Sequence, residues 1–371
     1  MELVLTIIPF LILLTVVVFV HEYGHYYYAR KYGVGVTDFS IGFGKEIFGW
    51  NDKFGTRWKV CWIPLGGYVK FFGDRNVFSQ NEQKKIIDKY SEKEKNKLFI
   101  LKPLYQRAII VAAGPIANFI LAFFIFSFIY MFSGKDFTPA IISEVQKNTP
   151  AHSAGMKVND RIIFVDGKKI NSILEIPAII NTTTADTIEF IILRDDNEVV
   201  LSITPIYIDS MDNLGNKIRK KIIGVKLGSL DNEINKVKLG PAKAIYFSIK
   251  EVYFISVATL NYIYSIIFGS GDSSQLGGPI RIAKITGQVA ELGFIPFLGI
   301  MSYISISLGL INLFPIPLLD GGHLMFYFCE YVKGSPLNQK TQENFFRIGM
   351  FLLIFIMFFA TFNDLKDLGL F

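Results

Sequence analysis

Cysteine is close to absent from this chain. Cys61 and Cys329 are its two thiols, too few for a disulfide framework or a cysteine-built zinc site, and both read as structural. Charge is sparse as well: 19% of the 371 residues are charged, while 51% are apolar. A soluble domain of this length needs a mostly polar surface, so the balance argues against one. The net charge of +6 comes with no basic stripe interleaved with aromatics, which argues against a nucleic-acid partner. Histidine is rare, four residues in all, yet two of the four fall within one five-residue segment. That clustering is the main chemical signal.

What the chain has instead is long apolar runs. Leu3–Val20 is long enough to cross the hydrocarbon core, which takes about 20 residues of helix. No basic segment precedes it and no small-x-small cleavage pattern follows it, so it reads as a span rather than a signal peptide. The helix is expected to continue through His21–His25 to about residue 29, with Tyr26, Tyr27 and Tyr28 at the membrane interface and Arg30 and Lys31 beyond. Further spans are predicted near 108–132, 295–319 and 347–362. Pro241–Phe268 mixes apolar residues with Lys243, Lys250 and Glu251 and reads as an amphipathic helix lying on the membrane or against the other spans. Residues 39–44 and 58–70, rich in Gly and aromatics, read as strands of a hairpin, and 80–97 as a charged solvated helix or linker. Residues 134–235 read as a soluble α+β module.

The expected fold class is therefore a multi-span α-helical membrane protein with four transmembrane helices, a membrane-associated β-hairpin and one extracytoplasmic α+β domain. Its expected divisions are a first transmembrane helix (1–31), a β-loop with charged linker (32–106), a second span (107–133), the α+β domain (134–235), amphipathic membrane-associated helices (236–294), a third span (295–320), a cytoplasmic loop (321–346), and a fourth span with tail (347–371). Residues 31–106 carry fourteen Lys or Arg against eight Asp or Glu, and no Lys or Arg precedes the first span. The positive-inside rule then places the amino terminus and the α+β domain outside and the first loop in the cytoplasm.

His21-Glu22-Tyr23-Gly24-His25 is H-E-x-x-H. Residues at i and i+4 share a helix face, so the two imidazoles can hold one zinc ion, with Glu22 beside it as general base. Ionisable residues at the end of a membrane span are costly unless partners or a metal compensate, which makes them functional candidates. A catalytic zinc wants a third protein ligand, and it must lie at the same depth. The third span runs in the same direction as the first and ends at Asn312–His323, which brings Asp320 to the leaflet of the two histidines, with His323 as the rival ligand. Pro315, Pro317, Gly321 and Gly322 break that span, and irregular backbone at membrane depth is tolerated only where protein buries it or it lines a cavity. Glu330 and Asp364 read as ordinary interfacial charges.

Taken together, these residues resemble the site-2 protease family of intramembrane zinc metalloproteases, in the bacterial branch that includes the regulator of sigma-E protease. That family carries H-E-x-x-H in its first span and N-x-x-P-x-P-x-L-D-G-G in its third, and Asn312, Pro315, Pro317, Leu319, Asp320, Gly321 and Gly322 match every fixed place of the second motif. The resemblance covers nearly the whole chain. It implies Asp320 as third ligand to one Zn2+ per chain, and Asn312 as a group that holds substrate or stabilises the developing oxyanion. Gly114-Pro-Ile-Ala-Asn118 resembles a further family pattern: Gly114 permits close helix approach, and Asn118, a membrane-embedded amide, joins the expected substrate-binding residues. The stretches holding Gly42, Phe43, Gly44 and Gly66, Gly67, Tyr68 resemble the family's β-loop, whose exposed edge would take an unwound substrate as an added strand. The plainer reading of Gly66-Gly67 is a tight hairpin turn.

Residues 150–170 resemble the A-G-L-x-x-G-D-x-I-x-x-V-D-G core of bacterial protease PDZ domains, with Asn159 where glycine is usual, a residue that tolerates the left-handed region. Relatives often carry two such domains; this chain has room for one, plus a remnant around Ile222–Val225. His152 reads as a surface residue. The resemblance implies cleavage of a single-span membrane protein, pre-cut by another protease, such as an anti-sigma factor or a remnant signal peptide. It also implies residence in the bacterial cytoplasmic (inner) membrane, in contact with the lipid bilayer, with the active site toward the cytoplasm. A catalytically silent PDZ scaffold would have no reason to keep Glu22, and a transporter would repeat the broken segment, of which there is one.

Overall fold

In the computed structural model, residues 2–73, 90–183, 185–211, 217–228, 235–268 and 276–367 are described. Part of the charged stretch expected at 80–97, residues 80–89, lies outside them. In chain order the principal elements are α1 (Glu2–Lys31), β1 (Val36–Asn51), β2 (Arg57–Phe71), α2 (Leu104–Phe132), β3 (Ile141–Val145), β4 (Arg161–Val165), α3 (Glu175–Thr182), β5 (Ile188–Arg194), β6 (Asn197–Ile203), β7 (Ile206–Met211), β8 (Lys217–Ile222), β9 (Val225–Gly228), α4 (Pro241–Ile267), α5 (Pro279–Glu291), α6 (Phe294–Leu313), α7 (Asp320–Lys333) and α8 (Gln339–Asp367). Four of these, α1, α2, α6 and α8, are long and apolar enough to cross a membrane. Along α8 the side chains of Phe351, Phe355 and Phe358 are all more than half exposed, a surface that suits lipid rather than water. The chain divides into two compact units, one of residues 1–123 and 278–362, the other of 124–277 and 363–371.

In the first unit, α1 packs on the β1–β2 sheet through Tyr26, Ala29 and Phe39, with Ile110 of α2 in the same core. Both strands are long and bent, so each is used twice. Val36–Ile41 pairs with Gly67–Phe71, Phe48–Asn51 pairs with Arg57–Val60, and Arg57–Val60 also lies in register beside Asp38–Ile41. The second half of β2, residues 67–71, thus forms an edge, with no further strand paired to it among the described residues. The turn that joins the strands is organised by Asp52, whose Oδ1 accepts from the backbone N–H of Phe54 (2.8 Å) and Thr56 (2.9 Å). Its Oδ2 accepts from the Tyr26 hydroxyl (2.8 Å) and the Trp58 indole (3.1 Å), which ties the turn to α1.

Four sequence expectations change here. Gly66 and Gly67 lie inside β2 rather than at a turn, because Asp52 supplies the turn instead, while Gly66 at φ +112° marks an irregular point in the strand. The third span stops at Leu313 rather than at residue 320: the amide-less Pro315 and Pro317 cannot continue it. The stretch 321–346, expected as a loop, is mostly helical, since Asp320–Lys333 forms α7. Glu330 in α7 is more than an interfacial charge, for both its oxygens meet the Arg107 guanidinium of α2 (2.6 and 3.3 Å), a pair that packs under the Tyr327 ring.

The second unit is built on an antiparallel sheet in the order β9-β3-β4-β5-β6, with a short strand at Lys168–Lys169 bridging to β4. Its core is Ile142, Ile162, Ile188, Phe190, Ile192 and Ile203, covered by Ile176 and Ile179 of α3. Alternation along β5, where Ile188, Phe190 and Ile192 are buried, is what fixes that face. Asp160 is buried, and Arg194 donates to both of its oxygens at 2.7 Å. Asn159 adopts φ +71°, the left-handed conformation read from the sequence. Ile222–Val225 is not the remnant of a second module: β9 is the edge strand of this one sheet, and the Ile223 and Gly224 carbonyls accept from the Ala151 and Gln146 amides.

The Asp52 network predicts a pH response. Burial works against ionisation of this carboxyl, but the Thr56 amide, Trp58 indole, Tyr26 hydroxyl and Phe54 amide outweigh it and hold the group at about 2. A carboxyl held below its ordinary value of about 3.9 contributes stability above that value and loses it as the pH falls toward the folded one. Protection of the amides across residues 36–71, corrected for the intrinsic pH dependence of exchange, should therefore fall between about pH 4 and pH 2, and Asp52→Asn should blunt that dependence. An unchanged exchange profile in the variant would count against the network.

Candidate metal centre

The site begins with a spacing on α1. His21 and His25 stand one turn apart, and their Nε2 atoms are 3.3 Å from each other. The imidazole-bearing face is pressed against α2, and two glycines permit this. A Cβ on Gly24 would collide with the Ala113 carbonyl, and one on Gly114 would collide with His25 Nε2 itself. With the backbones this close, His25 Nδ1 lies 2.9 Å from the Ile110 carbonyl of α2. A carbonyl only accepts, so Nδ1 carries the proton and Nε2 is left with its lone pair.

The third donor arrives from the other end of the unit. After Leu313 the chain turns sharply, with Leu318 held at φ +88°, an uncommon conformation for a branched side chain that is stored where the surroundings over-determine it. Gly321 and Gly322 let this turn close, because a Cβ on either would strike the main chain of Leu313–Pro317. The result places Asp320, first residue of α7, with Oδ2 3.2 Å from His21 Nε2 and 3.5 Å from His25 Nε2.

These separations can be tested against a metal. Donors at about 2.0–2.1 Å from a tetrahedral ion lie roughly 3.3 Å from one another, and the three distances here are 3.2, 3.3 and 3.5 Å. Asp320 Oδ2 is buried without a hydrogen-bond partner, a state that is costly for a carboxylate oxygen unless a cation meets it. Two imidazoles and one carboxylate suit zinc, with a fourth position open. Among the described residues, this is the one group of three such donors within 4.8 Å of one another.

The sequence profile of peptidase family M50 matches residues 9–356. The chain belongs to peptidase family M50. A protein of Brucella suis is 41% identical over 364 residues, covering 97% of this chain and 95% of the relative, and one of Agrobacterium fabrum is 39% identical over 362 residues, covering 98% and 96%. Both bear the name "Putative zinc metalloprotease". Metalloprotease MmpA of Caulobacter vibrioides is 34% identical over 386 residues, covering 98% and 96%. A solved PDZ domain of an SdrC-like protein from Listeria monocytogenes matches 25% of this chain and 88% of its own, at 21% identity and a TM-score of 0.20, too low to place the fold.

The other expected residues of this M50 peptidase fall as follows. Glu22 is half-buried beside the donors, in electrostatic reach of His25, His21 and Asp320. Gly67 of the β2 edge backs onto it: a Cβ there would lie 3.4 Å from Glu22 Cγ. Tyr68 sits opposite Ser40 in the sheet, and Phe43, opposite Ile63, is 43% exposed. Gly42 and Gly44 have φ +84° and +88°, and an added Cβ on Gly42 would meet the Ile63 carbonyl. Asn312 occupies the last turn of α6, partly exposed. Asn118 is fully buried against His21, which does not suit the substrate contact expected of it. His323 is not one of the three donors that converge within 4.8 Å; its ring packs against Phe326 and Phe346. Cys61 is buried, its sulfur 3.3 Å from Ser40 Oγ, a packing role.

Sequence reasoning did not find the Ile110 carbonyl, since any residue supplies one, nor Leu318, whose identity gives no hint of its conformation. The glycine clearance makes a prediction. Gly114→Ala should expel the His25 ring and weaken binding of a divalent ion by at least about 10-fold, read by chelator competition. Gly299→Ala, with nothing within 4 Å of its added Cβ, should change nothing.

Proposed function

We propose that this multi-pass membrane peptidase is an intramembrane zinc metalloprotease, which hydrolyses a peptide bond inside the transmembrane segment of a single-span membrane protein. The observation that carries the reading is the set of three donor atoms at tetrahedral spacing, with Glu22 on the same helix and the β2 edge behind it. The relatives' names supply the metal: they are zinc metalloproteases by name. His21, His25 and Asp320 would hold the zinc. Bound there, zinc supplies a Lewis acid that polarises the scissile carbonyl and acidifies the attacking water.

The remaining steps belong to the chain. Glu22 takes the proton from the attacking water and delivers it to the leaving amine, as a general base and then acid. A transmembrane helix hides its own peptide bonds, so the substrate must unwind first. The edge of β2 at residues 67–71 can hold the unwound stretch as an added strand. Gly67 and Tyr68 lie on that edge and Gly66 just before it, while Gly42, Phe43 and Gly44 follow the β1 segment that pairs with it. Asn312 holds a substrate carbonyl from the end of α6. The sheet-containing second unit acts as a PDZ-like docking or sizing module outside the cytoplasm, admitting substrates already trimmed by another protease. In this reading the site opens toward the cytoplasmic side of a bacterial inner membrane. The substrates are an anti-sigma factor of the sigma-E stress response, remnant signal peptides, or both.

The test compares wild type with Glu22→Gln, each measured for bound zinc and for cleavage of a model single-span substrate in detergent. Both should bind about one zinc, while the variant's rate falls by about 10²–10⁴-fold, the usual worth of a general base. Equal cutting by the two would remove Glu22 from the mechanism. Zinc-free protein that does not cut would favour a scaffold.

A further inference from the structure

Asn118 is wholly buried in the α2–α6 contact. Ser305 of α6 donates to its main-chain carbonyl at 2.9 Å, and Gly309 of α6 leaves room for its side chain. Its carboxamide lies 3.2 Å from His21 Nδ1, and the other amide atom, placed as Oδ1, has no partner. As placed, the amide nitrogen faces the ring. That arrangement would make Nδ1 an acceptor and put the ring proton on Nε2, where a metal ligand needs a lone pair. Amide oxygen and nitrogen are indistinguishable by shape, and a half-turn about Cβ–Cγ exchanges them. The oxygen as placed has no partner, and the requirement for a lone pair at Nε2 decides for the exchanged orientation.

We infer that Asn118 is the positioning residue of His21: its amide oxygen accepts the Nδ1–H of that ring and aims Nε2 at His25 and Asp320. The two imidazoles of α1 are then held in the same way by α2, His25 through the Ile110 carbonyl and His21 through a side chain two helical turns further on. Ligating histidines characteristically carry such an acceptor on the ring nitrogen that does not bind metal, which fixes tautomer and orientation. The inference rests on the assignment of His21 as a zinc ligand.

The experiment uses full-length protein in detergent, as wild type, Asn118→Asp, Asn118→Leu and His21→Ala. Zinc affinity is read by chelator competition, and the His21 tautomer in zinc-free protein by 15N NMR of labelled histidine. Asn118→Leu should bind zinc about 10–100-fold more weakly. Asn118→Asp, which keeps the shape and can only accept, should stay within a few-fold of wild type. Zinc-free wild type and Asn118→Asp should show His21 protonated at Nδ1. Thermal unfolding of the zinc-free variants identifies any loss due to misfolding, and the near-isosteric Asp variant keeps the test open if the Leu variant does not fold. Unchanged affinity in Asn118→Leu, or an Asp variant as weak as Leu, overturns the inference. So does a raised KM with zinc affinity intact, which would make Asn118 a substrate contact. If His21→Ala binds zinc as wild type does, the ligand assignment fails and takes this inference with it. If His21→Ala loses zinc while both Asn118 variants keep it, the inference alone fails.

Discussion

The close approach of α1 and α2 governs the first unit. Polar side chains inside a bilayer must find partners within the protein, because lipid offers none. Two imidazoles at the end of an apolar helix meet that demand by borrowing from α2, and α2 can lend only if the backbones nearly touch. Gly24 and Gly114 set that distance. From it follow the Ile110 carbonyl on His25 and the Asn118 amide on His21. A membrane supplies little hydrophobic force between helices, so small residues at the crossing are the available route to such contact.

The same economy of space operates where α6 gives way to α7. A continuous helix would have carried Asp320 about two turns past Leu313 along the span axis, at roughly 1.5 Å per residue. Pro315 and Pro317 stop α6, and Gly321-Gly322 let the chain fold back on its own carbonyls, so the aspartate returns to the histidines. Leu318 in the left-handed region is the strained point of that turn. The outcome is a carboxylate oxygen at metal-ligand distance from two imidazole nitrogens, with nothing else to bind it.

The β1–β2 sheet serves a different need. Its bent strands place the outer segment of β2 along the α1 face that carries Glu22, and leave that segment's far edge unpaired among the described residues. An open edge invites another chain and is usually blunted. Here Asp52 anchors the sheet's turn to Tyr26 of α1 and so keeps the edge beside the general-base candidate.

Much of this was legible in the residue order. Apolar runs of span length determine four helices long and apolar enough to cross a bilayer, whatever they pack against, because a shorter run would leave peptide groups in lipid. The i, i+4 spacing determines that His21 and His25 share a face, since 3.6 residues make a turn. Two prolines within three residues determine that the third span breaks. Tertiary structure decided the rest. Whether the broken segment became loop or helix, where the hairpin turned, and that β9 joins the one sheet all depended on contacts between residues far apart in the chain. Asn118 is the clearest case. Its sequence shows a polar residue within a membrane span, equally suited to substrate or to support, and only the packing of α2 between α1 and α6 turned its amide to His21, through distances that no local pattern encodes.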